Sequence, residues 1–396
     1  DFDLVVEGDA IGLGKELAKR YGGRVVTHRR FGTAKWKVDA KDARLRRALL
    51  ARGAAGVEHL PTSLDLVSAR AEFYSHPTAL PSVQLGSIKL DLHRRDFSIN
   101  TLAIRLDGAH YGRLLDPWGG GRDLRQKQIR VLHSISFIDD PTRMLRAVRL
   151  EQRLGFQIEP RTLELLEQAR PLLHRVSGER LRNELDLIFG EPRLAETMTR
   201  LESLGLLGAI HPSLTWDSWL ADRFHDAADF RAPAEWRLSA QPTPASLRYA
   251  LWTIRLQPQG AAAVGERLRL TQAQIAVMRE ASARLQSRTA WSGRVANSRR
   301  ARQFDDCPET ALVALWMALA DDPEGRAIVE DYLAGLRFVS PRTDGHALRR
   351  RGVLPGPRYA HILAELRDAW LDGTVTTGAE EEAMLTSLLG GEEGGG

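Results

Sequence analysis

Among 396 residues the chain carries one cysteine, Cys307. A single thiol excludes an intramolecular disulfide framework and any zinc site built on paired cysteines, and it fits a reducing compartment, by default the cytoplasm. No run of about eighteen apolar residues occurs, which excludes a membrane-spanning helix. The chain opens at Asp1 without a charged-then-apolar leader, so it is expected to be a fragment of a longer product and not a processed secreted protein. Lysine is missing from two thirds of the sequence: beyond Lys127 the strongly basic residues are all arginine. Arginine presents a planar fork of donors to phosphates and base edges where lysine offers a point charge, although a genomic bias towards Arg, Ala, Gly and Leu accounts for the same absence. What is present, 43% hydrophobic and 27% charged residues, is enough to bury a core. The length predicts several packed units. A formal charge of +5 favours a polyanionic partner over an acidic one.

The pattern predicts an α+β unit followed by an all-helical remainder. Alternation over 1–6, 23–28, 34–38 and 64–69 predicts strands, with a helix over 11–21 between the first two. From 126 onward the apolar spacing turns helical, over 141–154, 162–173, 178–189, 193–206, 309–320 and 325–338. Pro- and Ala-rich polar sequence over 231–246 and again over 341–356 marks candidate boundaries. The Gly/Glu tail, 390–396, has nothing to bury.

Asp1 and Asp3 are two apart on a predicted strand and so share one face, while Phe2 and Leu4 take the other. Paired hard oxygens suit magnesium bound together with a nucleoside triphosphate; a solvated edge strand would carry the same two acids. Asp65, in Ser63-Leu64-Asp65-Leu66-Val67, joins them if its strand is a neighbour. Arg94-Arg95-Asp96-Phe97-Ser98-Ile99-Asn100 sets two guanidinium groups before an acid and an amide. The arginines suit phosphate oxygens, and Asp96 and Asn100 suit sugar hydroxyls or a bracing role. The glycines of Asp116-Pro117-Trp118-Gly119-Gly120-Gly121 read as a tight turn closing the unit. In Asp139-Asp140-Pro141-Thr142-Arg143-Met144-Leu145-Arg146-Ala147-Val148-Arg149, Pro141 suits the first helical position and Asp140 the N-cap. Arg143, Arg146 and Arg149 recur every three residues along one face. A carboxylate beside an arginine pairs an acceptor with a donor, which complements the edges of adenine and cytosine and not those of guanine and uracil. An ordinary capped helix with a solvated arginine stripe has the same spelling.

Taken in order, these segments resemble the class II tRNA nucleotidyltransferase and bacterial poly(A) polymerase family. The resemblance is carried by Asp-x-Asp with Leu-Val-Val-Glu-Gly, His28-Arg29-Arg30-Phe31-Gly32-Thr33-Ala34, Arg70-Ala71-Glu72-Phe73-Tyr74, the Arg-Arg-Asp-Phe-Ser-Ile-Asn block, Asp-Pro-Trp-Gly-Gly and Asp-Pro-Thr-Arg-Met-Leu-Arg-Ala-Val-Arg. It runs clearly from 1 to about 189, with a fainter match over 345–357. It implies a polymerase-β-like nucleotidyltransferase head (1–125), a neck with the base-reading helix (126–190), a body (191–290) and a tRNA-binding tail (291–389). By the same resemblance Asp1 and Asp3 bind Mg2+, Asp65 is an auxiliary acid, and Arg95 meets the incoming nucleotide. Asp140, Arg143, Arg146 and Arg149 meet its base and triphosphate, and Arg70 and Glu72 belong to a flexible active-site loop within 70–92. The partners implied are tRNA, held by its acceptor arm, ATP and, for full CCA addition, CTP. The alternatives are poly(A) synthesis and RNA binding without catalysis. Three departures stand out: the family's Gly-Gly-x-Val-Arg-Asp phosphate loop is expected upstream of Asp1, Asp139 replaces Glu, and Ser98 replaces Thr. Arg299-Arg300-Ala301-Arg302 and Arg349-Arg350-Arg351 are further candidates for tRNA phosphate contacts, solvated helix ends being the other reading.

Overall fold

A computed structural model describes residues 3–39, 41–51, 61–73 and 82–390. Asp1, the tip of the 70–92 stretch between 73 and 82, and the tail 391–396 lie outside the described residues. The chain divides into two compact units, Asp1–Val176 with Glu191–Arg193, and Ser177–Gly190 with Leu194–Gly396.

The first unit is built on a four-stranded mixed sheet. β1 (Asp3–Val6), β2 (Arg24–His28), β3 (Thr33–Lys37) and β4 (Ser63–Ser68) lie in the order β1-β4-β3-β2, with β1 parallel to β4 and the other pairs antiparallel. The period of two sorts the side chains. Leu4, Leu64, Leu66, Ala34 and Trp36 point to a core completed by Ala10 and Leu45, whereas Asp3, Asp65 and Lys35 share the opposite face. Helix α1 (Ala10–Tyr21) is started by Asp9, whose carboxylate accepts the Ile11 N–H. It lies close on the apolar face: a Cβ at Gly14 would sit 3.1 Å from Leu66 Cδ1 and 3.3 Å from Ala34 Cβ. Helix α2 (Ala43–Leu50), absent from the sequence reading, packs Leu45 into the same core.

The 70–92 stretch, expected to be a polar loop throughout, is structured at both ends. β5 (Arg70–Phe73) and β6 (Ser82–Leu85) form an antiparallel ribbon, and α3 (Ile88–His93) follows. The ribbon is rooted in the sheet, since Ala69 N–H donates to Val6 C=O at 2.7 Å and Gly86 N–H to Ala69 C=O at 2.9 Å. Next come the hairpin β7 (Ala103–Ile104) and β8 (Leu114–Leu115), then α4 (Gly120–Arg125). The glycines before and within α4 are required by geometry. Gly119 has φ 73°, and a Cβ at Gly120 would lie 2.2 Å from the Ser98 carbonyl oxygen. A two-residue parallel pair, β9 (Gln128–Ile129) with β10 (Gln157–Ile158), encloses α5 (Ser136–Asp139) and α6 (Thr142–Leu154), and α7 (Pro160–Ala169) follows.

The second unit is all helical among its described residues. Helix Glu309–Ala318 is apolar almost all round, with 311–315, Met317 and Ala318 buried, as suits a central position. The Pro-rich sequence 231–246 packs there too: Trp236 is fully buried with its ring 5.2 Å from that of Trp316. No helix among the described residues is long and apolar enough to cross a membrane.

Candidate active site

The candidate catalytic and nucleotide-binding residues fall in the first unit, the candidate tRNA-contact arginines of 299–302 and 349–351 in the second. The β1–β4 register sets Asp3 directly against Asp65, and Asp65 directly against Lys35 on β3, whose Nζ lies 3.1 Å from Asp65 Oδ2. Two carboxylates and a lysine therefore stand in one row across three strands.

A second group forms around the end of α3. Asp96, 9% exposed, accepts from Asn100 Nδ2 at 2.6 Å, from Arg146 Nη1 at 2.9 Å and from the Phe97 N–H at 3.0 Å. Burial by itself would raise the Asp96 carboxyl, but the Asn100 bond and the charges of Arg146 and Arg143 outweigh it and hold Asp96 below the usual carboxylate range. Arg95 donates from Nη1 to the Asn100 carbonyl at 3.2 Å. Arg143, 5% exposed, donates to Ser136 Oγ at 2.6 Å and to the Arg94 carbonyl at 2.7 Å. The arginine face of α6 is thus anchored and not a solvated stripe. Asp140 behaves as an N-terminal cap, its Oδ1 accepting the Thr142 N–H at 3.0 Å and the Thr142 hydroxyl at 2.5 Å. Arg149 aims elsewhere: its Nη1 meets Glu191 at 3.0 Å, both side chains being largely buried.

The Ser98 hydroxyl donates to the fully buried Asp123 at 2.6 Å, which Arg130 also meets at 3.0 Å, so the serine makes the bond a threonine hydroxyl would make. Burial, helped by the neighbouring Asp140 charge, raises the Asp139 carboxyl above its ordinary value against the opposing Arg143 charge. Arg70 donates from Nη1 to the Phe31 carbonyl at 3.0 Å; the Glu72 side chain and Asp1 lie outside the described residues.

Residues 1–130 match the family model described as the poly A polymerase head domain, and residues 155–217 the one described as a probable RNA and SrmB-binding site of polymerase A. An A-adding tRNA nucleotidyltransferase of Halalkalibacterium halodurans is 34% identical over 95% of this chain and 81% of its own length. The chain belongs to the tRNA nucleotidyltransferase and poly(A) polymerase family. Another A-adding relative, from Geobacter sulfurreducens, is 34% identical over 98% of this chain, which spans 43% of that protein's length. A CC-adding tRNA nucleotidyltransferase of Deinococcus radiodurans is 32% identical over 82% of this chain and 73% of its own. Among solved structures, a CCA-adding enzyme in an apo form superposes with a TM-score of 0.73 at 28% identity, over 97% of this chain and 87% of that one.

Members of this nucleotidyltransferase family are typically metal-dependent, and the donor set here suits a hard cation. Asp3 and Asp65 offer carboxylate oxygens on one face, and magnesium is commonly held by one or two carboxylates plus substrate phosphates instead of a full protein cage. Among the described residues no group of three or more His, Cys, Asp or Glu forms such a cage. Sequence reasoning missed two features of this site. Asp91 is fully buried against Arg94 and Arg95, and the signal for it was an acid three and four residues before those arginines. His133 stacks on His93 at 5.3 Å, and His93 in turn meets Trp118 at 4.7 Å. Residues 93, 118 and 133 are too far apart in the chain for spacing to bring them together.

Proposed function

We propose that this protein is a template-independent, magnesium-dependent nucleotidyltransferase that adds the 3′-terminal A to tRNA, alone or after CC. The reading is carried by one observation: the register that sets Asp3 against Asp65 on the polar face of a sheet whose fourth strand runs on into the arginine-bearing segments. The tRNA 3′-hydroxyl oxygen attacks the α-phosphorus of ATP; the O3′–P bond forms, the bond to the bridging oxygen of the β-phosphate breaks, and pyrophosphate leaves. Magnesium held by Asp3, together with Asp1 and with Asp65 as the auxiliary acid, would supply charge neutralisation at the attacking and leaving oxygens. Arg95 and Arg146 face the triphosphate with donors fixed by Asn100 and Asp96, which limits the reorganisation needed on binding. Asp140 and Arg143 read the base as an acceptor beside a donor. Arg143 is rigid for this task because both terminal nitrogens are already tied, each keeping a second proton. Arg149, paired with Glu191, steadies the same helix, and Arg70 and Glu72 belong to the β5–β6 ribbon. Residues 1–125 form the catalytic head, 126–190 the neck, 191–290 the body and 291–389 the tail that holds tRNA. The single cysteine suits work in the cytoplasm.

The test uses the full-length protein with tRNAs ending before the first C and after the second C, supplied with ATP and CTP separately. One AMP added to the second substrate, dependent on magnesium, is the expected result. CTP incorporation into the shorter tRNA makes the enzyme a full CCA adder. Long A tails on unrelated RNA replace this reading with poly(A) synthesis, and no incorporation at all replaces it with RNA binding.

A further inference from the structure

Asp91 stands at the junction of three parts of the first unit. It sits near the end of α3, is 0% exposed, and is spanned by donors from both sides. Arg94 meets its Oδ1 through Nε at 3.0 Å and Nη2 at 2.8 Å, Arg95 meets its Oδ2 through Nη2 at 3.5 Å, and the backbone N–H of Arg70, the first residue of β5, donates to Oδ1 at 3.3 Å. A fully buried carboxylate is costly unless charges and hydrogen bonds compensate it, so these contacts are mutually required.

What the partners do next separates this residue from an ordinary buried acid. The Arg94 carbonyl accepts from Arg143 on α6, so a shift of Arg94 is passed to the base-reading arginine. Arg95 has two anchors among the described residues, Asp91 and the Asn100 carbonyl; its Nε is buried with no acceptor. Removing Asp91 takes away one of the two. The third partner, Arg70, opens the ribbon strand and also bonds the Phe31 carbonyl next to β3. One carboxylate thereby sets the spacing between the ribbon root, the phosphate-facing Arg95 and, through one carbonyl, Arg143.

We infer that Asp91 is the positioning residue of the nucleotide site, holding Arg94 and Arg95 in register with the β5–β6 ribbon, and that it acts on ATP through Arg95 without touching it. The inference rests on the nucleotide-site reading above. It would make the ribbon and the arginine pair move as one body.

The experiment measures ATP binding to the full-length protein by equilibrium dialysis with magnesium and without tRNA, so that no turnover is needed, and then KM for ATP, kcat and tRNA affinity. Asp91→Asn keeps the shape and removes the charge. It is expected to weaken ATP binding about tenfold to a hundredfold, the scale of a hydrogen bond to a charged group, to raise KM for ATP more than it lowers kcat, and to leave tRNA affinity unchanged. The double variant Asp91→Asn/Arg95→Ala is expected to bind ATP no more than about threefold more weakly than Arg95→Ala alone, because residues acting through one contact are not additive. Fully additive losses, or wild-type ATP affinity in Asp91→Asn, overturn the inference. If Asp91→Asn does not fold, Asp91→Glu takes its place, with a smaller loss expected and unchanged ATP affinity again overturning it. A wild-type protein that binds no ATP overturns the nucleotide-site reading and this inference together, whereas wild-type binding with an unaffected variant overturns this inference alone.

Discussion

Asp96→Asn is the substitution whose cost the structure sets most closely. The two carboxylate oxygens have separate duties, Oδ1 accepting from Asn100 and Oδ2 from Arg146. An amide keeps one acceptor and replaces the other by a donor, so the flip that keeps the oxygen on Asn100 and the Phe97 N–H leaves Arg146 Nη1 facing another N–H, and the opposite flip orphans two donors instead of one. The orphaned donor costs about 1–3 kcal/mol and the lost charge assistance roughly a further 1 kcal/mol. Because the Arg146 side chain is 31% exposed, water takes over part of its bond. The net expectation is about 2 kcal/mol of stability, which for a unit of this size lowers Tm by roughly 4–8 °C. In addition, Arg146 loses its fixed direction, and kcat/KM for ATP should fall about tenfold or more. The pH dependence has a definite sign. Asp96 is held below its ordinary pKa of 3.8 in the folded protein, so the stability it contributes is present above that value and is lost only as pH falls through the lowered pKa. The difference between wild type and variant should therefore stay constant from about pH 5 to 8 in urea unfolding. A variant within about 0.5 kcal/mol of wild type, with unchanged kinetics for ATP, would show that the Asp96–Asn100–Arg146 cluster does not organise the site.

Arg143→Lys removes the planar fork while keeping the charge, and should let GTP and UTP compete with ATP in single-turnover incorporation; retained selectivity would remove Arg143 from base reading. Gly120→Ala puts a methyl group 2.2 Å from the Ser98 carbonyl oxygen and should cost about 1–3 kcal/mol in thermal unfolding, whereas Gly208→Ala, with nothing within 4 Å, should cost nothing measurable. Burial, together with the charges of Arg143 and His93, lowers the His133 pKa from 6.5 to about 4. Its contribution to stability is thus fully present above 6.5 and is lost as pH falls towards 4. His133→Gln should flatten the urea midpoint against pH across that window, and an unaltered slope would rule His133 out as its source.

The four strands of the main sheet were legible because they alternate, with Leu4 and Val6 on β1, Leu64 and Leu66 on β4, and Ala34 and Trp36 on β3 facing one core, whereas the short strands β5 to β8 were not. The helix carrying Arg143 was legible from Asp140 and Pro141, and the structure begins it at Thr142, within the one-residue spread expected of helix ends. Pairing was not legible. Alternation allowed Asp65 to meet Asp3 without requiring it, since register depends on which strand lies next to which. Helix α2 was hidden because its polar face dominates, with Arg44, Arg46 and Arg47 around a single buried Leu45. The anchoring of the arginine row could not be read either. A period of three describes a solvated stripe as well as it describes Arg143 on the Arg94 carbonyl and Arg146 on Asp96, and only the fold distinguishes the two.

The central claim is that the carboxylates of the β1–β4 pair and the arginines around α6 hold opposite ends of one triphosphate. A crystal structure of the full-length protein with magnesium and a non-hydrolysable ATP analogue tests it directly. The account predicts the α-phosphate on the side of Asp3 and Asp65, with Arg95 and Arg146 on the phosphates and Arg143 on the adenine edge. A nucleotide bound by the arginines with its phosphates directed away from Asp3 and Asp65 would contradict it.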